Sequence, residues 1–214
     1  MVWPTTGQLD NFDRANENPL GNGTWSWPVY SGDSQLQVLD NVAGGTGATS
    51  FQESYWSSTT FGPDSEVYVT FSILTLLSDL AYLDLRIANP NSAGLDCYEW
   101  VWDATAATGR LYRVDDTVNT LLGATFSITL AAGNRVGLEM IGSNLAFYDD
   151  NGGSWTQRAT RSDSTYTAAG FISMGLQGAV GRYDNFSGGT VVAGAPTIRV
   201  DYAEFPKEKM RELA

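Results

Sequence analysis

Residues 65–73 read SEVYVTFSI, and the strict alternation of this run limits the fold more than any other feature of the chain. Val67, Val69, Phe71 and Ile73 share one face, while Glu66, Tyr68, Thr70 and Ser72 share the other. Successive side chains of an extended backbone point to opposite sides, so the run predicts a half-buried strand. The same period of two recurs in LAYLDLRIA (80–88), DCYEWVW (96–102), RLYRV (110–114), ATFSITL (124–130), RVGLEM (135–140), NLAFYD (144–149) and GFISMGL (170–176). Helical spacing is absent before the C-terminal tail. Between the runs lie NPNSAG (89–94), TAATG (105–109), AAGN (131–134), IGSN (141–144) and DDNGG (149–153), all built from turn-forming residues. All seven prolines fall outside the proposed strand interiors, as their missing N–H requires. Many short antiparallel strands at this spacing predict an all-β sandwich or barrel.

The 214 residues suit one such domain, and no stretch reads as an interdomain linker. An apolar share of 43% supplies a core, while only 17% charged residues leaves the surface to Ser, Thr, Asn and Gly. The net charge of −12 repels phosphate backbones and argues against nucleic acid as a partner. The chain has no histidine, which excludes a Ser-His-Asp triad. Its one cysteine, Cys97, cannot form an internal disulfide and reads as a small buried hydrophobe inside a strand. The opening MVWPTTGQLDNF lacks a basic segment followed by an apolar run, so no conventional signal peptide is expected. The apolar stretches are also too short for membrane insertion.

A short echo links the two ends of the sheet region: Leu9-Asp10-Asn11-Phe12 and Tyr183-Asp184-Asn185-Phe186. Terminal strands of a jelly roll often lie side by side, and there the two phenylalanines would both point to the core. Two-residue parity would then place Asp10 with Phe12 and Asp184 with Phe186, and a carboxylate in that position needs hydrogen bonds or a cation. The expected organisation is an N-terminal extension over 1–7, a two-sheet antiparallel β-sandwich over 8–205 and a charged tail over 206–214. IRVDYAEF reads as a last strand, and the tail reads as a short helix after Pro206 or an arm toward a neighbour.

Three stretches carry a family resemblance: CYEWVWDATAATGRLYRVDDTVNTLLGAT, GNRVGLEMIGSNLAFYDDNG and YTAAGFISMGLQGAVGRYDNF. With LDNFDRANENPLGNGTWS near the start, they make residues 8–187 resemble the concanavalin A-like and laminin-G-like jelly-roll superfamily. The versions most alike are those of bacteriophage structural proteins and bacterial carbohydrate-binding modules. The resemblance implies a curved two-sheet fold and, as in many relatives, a structural calcium near the paired termini. It does not choose between binding and catalysis.

Candidate sites follow from both lines. Asp10, Asp13 and Asp184 are the best oxygen ligands for calcium near the termini, although Asp and Asn also form turns. Trp25, Trp27, Trp56 and Trp155, in or near loops, read equally as ligand contacts or as lids on the core. Tyr98, Trp100 and Trp102 share one strand face that could stack sugar rings, but they read first as core if Glu99 and Asp103 solvate the other. Related glucanases carry three acids at alternate positions on one strand, whereas here Val101 stands between Glu99 and Asp103. The leading expectation is therefore a non-enzymatic virion surface protein, a capsid decoration or tail-associated module whose partners are other virion proteins. The alternative is an extracellular carbohydrate-binding module or lectin whose partner is a glycan, and a glycoside hydrolase ranks third. Exposed sheet edges also make a homo-oligomer an expected arrangement.

Overall fold

The computed structural model describes residues 3–21, 23–27, 29–46, 51–74, 80–178 and 181–192; the expected strand at IRVDYAEF and the tail helix lie outside them. Every regular element among the described residues is a strand. In chain order the first eight are β1 (Gln8–Asp10), β2 (Trp25–Ser26), β3 (Leu36–Leu39), β4 (Val42–Gly45), β5 (Phe51–Trp56), β6 (Ser65–Ile73), β7 (Leu80–Ala88) and β8 (Asp96–Asp103). The rest are β9 (Thr108–Asp115), β10 (Val118–Leu121), β11 (Phe126–Ser127), β12 (Arg135–Ile141), β13 (Asn144–Asp150), β14 (Trp155–Ser162), β15 (Phe171–Gln177) and β16 (Arg182–Thr190).

They form two antiparallel sheets. The first runs β14-β13-β12-β6-β16-β4-β3, with β1 also on β16; the second runs β10-β9-β8-β7-β15-β5-β2, with β11 on β9. The inward faces of both contribute to one core. On β8, parity sends Tyr98, Trp100 and Trp102 inward, as expected, and all three are buried. Trp100 stacks on Phe147 of the opposite sheet with centroids 4.5 Å apart, and Trp102 meets Phe71 at 5.8 Å. Burying each such ring contributes about 1.5–3 kcal/mol beyond leaving it in water, so these contacts clamp the sheets together.

The echoed termini do lie side by side, with Gln8 opposite Ser187 and Asp10 opposite Phe186. Phe12 and Phe186 are both fully buried. Simple parity does not run through either motif, however, because Phe12 (φ 56°) and Asn185 (φ 53°) adopt left-handed backbone. β16 then threads between β6 and β4, so the last described strand closes the middle of the first sheet.

The first sheet also has a covered outer face. Thr5 and Thr6 donate their backbone N–H groups to Glu66 Oε1 at 2.7 and 2.6 Å, and Tyr68 Oη donates to the Thr6 carbonyl at 2.6 Å. Trp3 lies flat on Tyr148, 4.3 Å between centroids. Gly137 makes room for it, since a Cβ there would sit 2.2 Å from the Trp3 ring. The polar face of SEVYVTFSI is thus partly a packing surface, and Glu66 is fully buried.

The run ATFSITL yields only the two-residue β11, because Ile128 and Leu130 fall outside any ladder while their side chains reach the core. Conversely, β10 (VNTL) and β14 (WTQRATRS) carry no apolar alternation, since both are sheet edges with mostly exposed side chains.

Candidate functional site

The outward face of the second sheet carries the most concentrated chemistry of the described residues, and strand register assembles it. One row across five strands reads Tyr55, Ser173, Asp84, Glu99, Tyr112. The adjacent row reads Glu53, Gly175, Tyr82, Val101, Arg110. Asp84 and Glu99 are directly opposed on neighbouring strands. Glu53 reaches toward them because Gly175 has no side chain: a Cβ there would lie 2.4 Å from Glu53 Cγ.

A loop between β2 and β3 walls this floor on one side. Val29 is fully buried in a small second cluster with Ile87, Leu95, Cys97 and Val114, and its carbonyl accepts from Asn91 N–H at 2.7 Å. Cys97, the buried hydrophobe expected from sequence, therefore helps hold the loop. The loop is tied to β5 as well, through Ser34 N–H to the Phe51 carbonyl at 3.0 Å and Glu53 N–H to the Ser34 carbonyl at 3.1 Å. Thus anchored, Tyr30 donates its hydroxyl to Glu99 Oε1 at 3.2 Å. Asn119 on β10 donates to Glu99 Oε2, also at 3.2 Å. Floor and walls enclose a cavity of about 690 Å³ lined by Tyr30, Asp33, Glu53, Tyr82, Glu99 and Tyr112, among others. That volume falls within the usual range of ligand pockets.

Its electrostatics are unusual for a surface. Glu53, Asp84 and Glu99 are 1%, 0% and 2% exposed. Burial, and secondarily the charge of Asp84, raises the Glu53 and Glu99 carboxyls well above the carboxylate range. Burial lifts Asp84 to about 7 and Asp33 to about 6, with the Ser173 hydroxyl bond opposing the shift at Asp84. Glu53 Oε2, Asp84 Oδ1 and Tyr82 Oη are buried without a hydrogen-bond partner. Buried polar atoms are nearly always paired, so these three leave unmet hydrogen-bonding capacity in the pocket lining, at Glu53 and Tyr82, and just beneath it, at Asp84.

Glu99 departs from expectation. It does not solvate the outer face; the Val29 loop and β10 cover it. Asp103 does sit at the margin, 3.4 Å from Arg110, where it also accepts the Ala106 N–H at 2.9 Å. Glu53 and Asp84 are absent from the expectations; Asp84 had a signal, an acid on the outward parity of the mostly apolar LAYLDLRIA, whereas Glu53, flanked by Gln52 and Ser54, had none.

The four tryptophans singled out by sequence do not converge. Trp25 is core: it is 4% exposed, packs edge-on to Phe186 at 4.7 Å and donates its indole N–H to Asp10 at 2.8 Å. Trp56 packs against the same cluster, 5.4 Å from Trp25. Trp27 is 42% exposed and stands apart. Trp155 lines a second concavity, about 750 Å³, on the outer face of the first sheet with Trp3, Glu139, Tyr148 and Gln157. There Arg135 covers the Trp155 ring at 4.9 Å and Trp3 meets it edge-on at 4.3 Å.

The three expected calcium ligands are already engaged. Asp10 Oδ1 accepts from Phe12 N–H at 2.8 Å and from Arg14 at 2.7 Å, and Asp10 Oδ2 takes the Trp25 indole. Asp13 pairs with the Asn11 amide at 2.9 Å, and Asp184 accepts the Asn185 N–H at 2.7 Å. Arg14 supplies the positive charge that a cation would bring. Among the described residues no three acidic, cysteine or histidine side chains surround a common cation position.

Comparison with known proteins bears on the fold. No protein-family model matches the sequence, and no curated protein matches it as a relative. Among solved structures, the carbohydrate binding module CBM66 from Bacillus subtilis superposes with a TM-score of 0.59 at 14% identity, over 78% of this chain and 95% of that one. The exoplasmic/lumenal domain of VIP36, bound to Ca2+ and Man2, gives 0.62 at 9% identity over 88% and 89%. The fold is the concanavalin A-like jelly roll. The β-glucanase of Bacillus licheniformis shares it too, with a TM-score of 0.58 and 11% identity over 88% of this chain and all of that one. At these identities the jelly roll alone is shared. None of the three is a virion protein, so the bacteriophage side of the resemblance gains no support from them. No helix among the described residues is long and apolar enough to cross a membrane.

Proposed function

We propose that this jelly roll binds a glycan in the pocket on its second sheet. The observation that carries the reading is the floor itself: buried carboxylates with unpaired oxygens, bordered by Tyr30, Tyr82 and Tyr112. Sugars offer many hydroxyl donors and apolar ring faces, and this surface offers acceptors and aromatic rings. The carbohydrate binding module CBM66 and the Man2-bound form of VIP36 among the matched structures support the choice. The reading takes the place of the virion-surface expectation, which the comparisons do not support, and it carries with it an extracellular or lumenal setting.

Binding without cleavage is the form supported. Among the described residues no strand presents acids at alternate outward positions, since on β8 Val101 occupies the place between Glu99 and Asp103 and Arg110 holds the latter. Glycan-array screening followed by calorimetric titration tests the reading. At least one oligosaccharide is expected to bind, and Tyr82→Ala is expected to weaken it about tenfold or more, a loss of about 1.4 kcal/mol. Absence of binding to any glycan, or binding unchanged in Tyr82→Ala but lost in Trp155→Ala, refutes it.

A further inference from the structure

Resting on the glycan reading, we infer that the pocket selects sugars that carry a free primary ammonium group over neutral and acidic ones. Asp33, Glu53 and Glu99 line the cavity, Asp84 lies between the last two in the floor, and the one basic residue in the lining is Arg110. Arg110 is itself turned to Asp103 at 3.4 Å. The acids of the floor therefore lack a counter-charge of their own.

The hydrogen-bond inventory adds a second, independent observation. Glu99 already has donors on both oxygens, from Tyr30 and Asn119. Glu53 and Asp84 each keep one buried oxygen without a donor, and the Tyr82 hydroxyl beside them is likewise unpaired. What the site lacks is a compact group with several donors and a positive charge. An ammonium has three N–H donors and no acceptor. A hydroxyl could satisfy one oxygen but would bring no positive charge to let the carboxyls ionise. A uronate would bring a negative charge into a site where burial already disfavours one.

The chemistry of the empty pocket agrees. Desolvation and the neighbouring acids favour protonated carboxyls there, and an ammonium reverses both effects by replacing the lost counter-charge. Charge-assisted hydrogen bonds of this kind are about twice as strong as neutral ones. Tyr30, Tyr82 and Tyr112 then offer the apolar surface that a sugar ring presents and a simple aliphatic amine does not.

Calorimetric titration of the full chain decides the matter with five probes at equal chain length where possible: glucosamine tetramer, its fully N-acetylated counterpart, cellotetraose, tetragalacturonate and spermidine. The glucosamine tetramer is expected to bind at least about tenfold more tightly than any of the others, a gap of about 1.4 kcal/mol. Glu53→Gln, close in shape, is expected to erase most of that preference while the melting temperature shows the variant folded. Equal or tighter binding of cellotetraose or the N-acetylated tetramer overturns the inference and leaves the glycan reading standing. Spermidine binding as well as the glucosamine tetramer overturns the sugar part. No binding by any oligosaccharide overturns the inference and, if the wider array is also blank, the glycan reading with it.

Discussion

Glu53, Asp84 and Glu99 are three acids on three different strands, 31 and 15 residues apart in sequence, and only sheet register makes them neighbours. Their burial makes the stability of the fold depend on pH. Asp84 binds its proton more tightly in the folded protein, with a value near 7 against 3.8 ordinarily, and Glu53 and Glu99 shift the same way. The folded state then holds more protons than the unfolded chain, so this part of the stability is present below about pH 4 and is lost as pH rises to 7. Asp163 works in the opposite sense. Its burial favours the neutral acid, but hydrogen bonds from Tyr98, Thr165 and Arg113 outweigh this and hold it at about 2, so its contribution is lost as pH falls from 3.8 toward 2. Melting temperatures measured across pH are expected to peak at about pH 4 to 5 and decline toward neutrality. Asp84→Asn is expected to flatten the decline, and a melting temperature that climbs steadily to pH 7 would contradict the assignment. From the sequence, parity on DCYEWVW correctly sends Tyr98, Trp100 and Trp102 to the core and so places Glu99 outward. It cannot report that a loop 70 residues earlier covers that outward face. The same limit explains Trp25, whose position near a loop says nothing about the Asp10 carboxylate waiting for its indole.

At the scale of elements, the segment preceding β1 is as much a part of the first sheet as the strands beneath it. Trp3 is 8% exposed, and its ring fits only because position 137 is glycine. Gly137→Ala is expected to displace the ring and loosen residues 3–6 from Glu66, at a cost of about 3–5 kcal/mol if the whole Trp contact is lost. Denaturant unfolding followed by tryptophan fluorescence checks this, and Trp3→Ala is expected to match it because both remove the same contact. An unchanged midpoint in Gly137→Ala would mean that the segment does not depend on that cleft. Strands with strict alternation, such as β6 and β12, are legible from sequence to within a residue or so because both faces have distinct surroundings. β14 is not, because an exposed edge strand needs no apolar face. The pairing of β1 with β16 is legible only through the repeated Asp-Asn-Phe, and the left-handed Phe12 and Asn185 that bend both copies leave no alternation to read.

The whole molecule combines a jelly-roll scaffold, a surplus of negative charge and one acid-floored pocket. Periodicity alone predicts an all-β sandwich or barrel, and the family resemblance supplies the jelly-roll form. The pocket could be inferred from neither, because it is made by long-range register between β5, β7, β8 and β15 and by a loop anchored on Cys97. The same long-range pairing places β16 at the centre of the first sheet, so neither sheet can be completed from a contiguous stretch of chain. Binding at the second sheet, not at the Trp3 and Trp155 concavity of the first, is the central claim. It is tested most directly by two-dimensional amide NMR of the protein titrated with a bound oligosaccharide. The account predicts shift changes concentrated at residues 30–33, Glu53, Tyr82, Glu99, Tyr112 and Asn119. Changes confined to Trp3, Glu139, Tyr148 and Trp155 would contradict it.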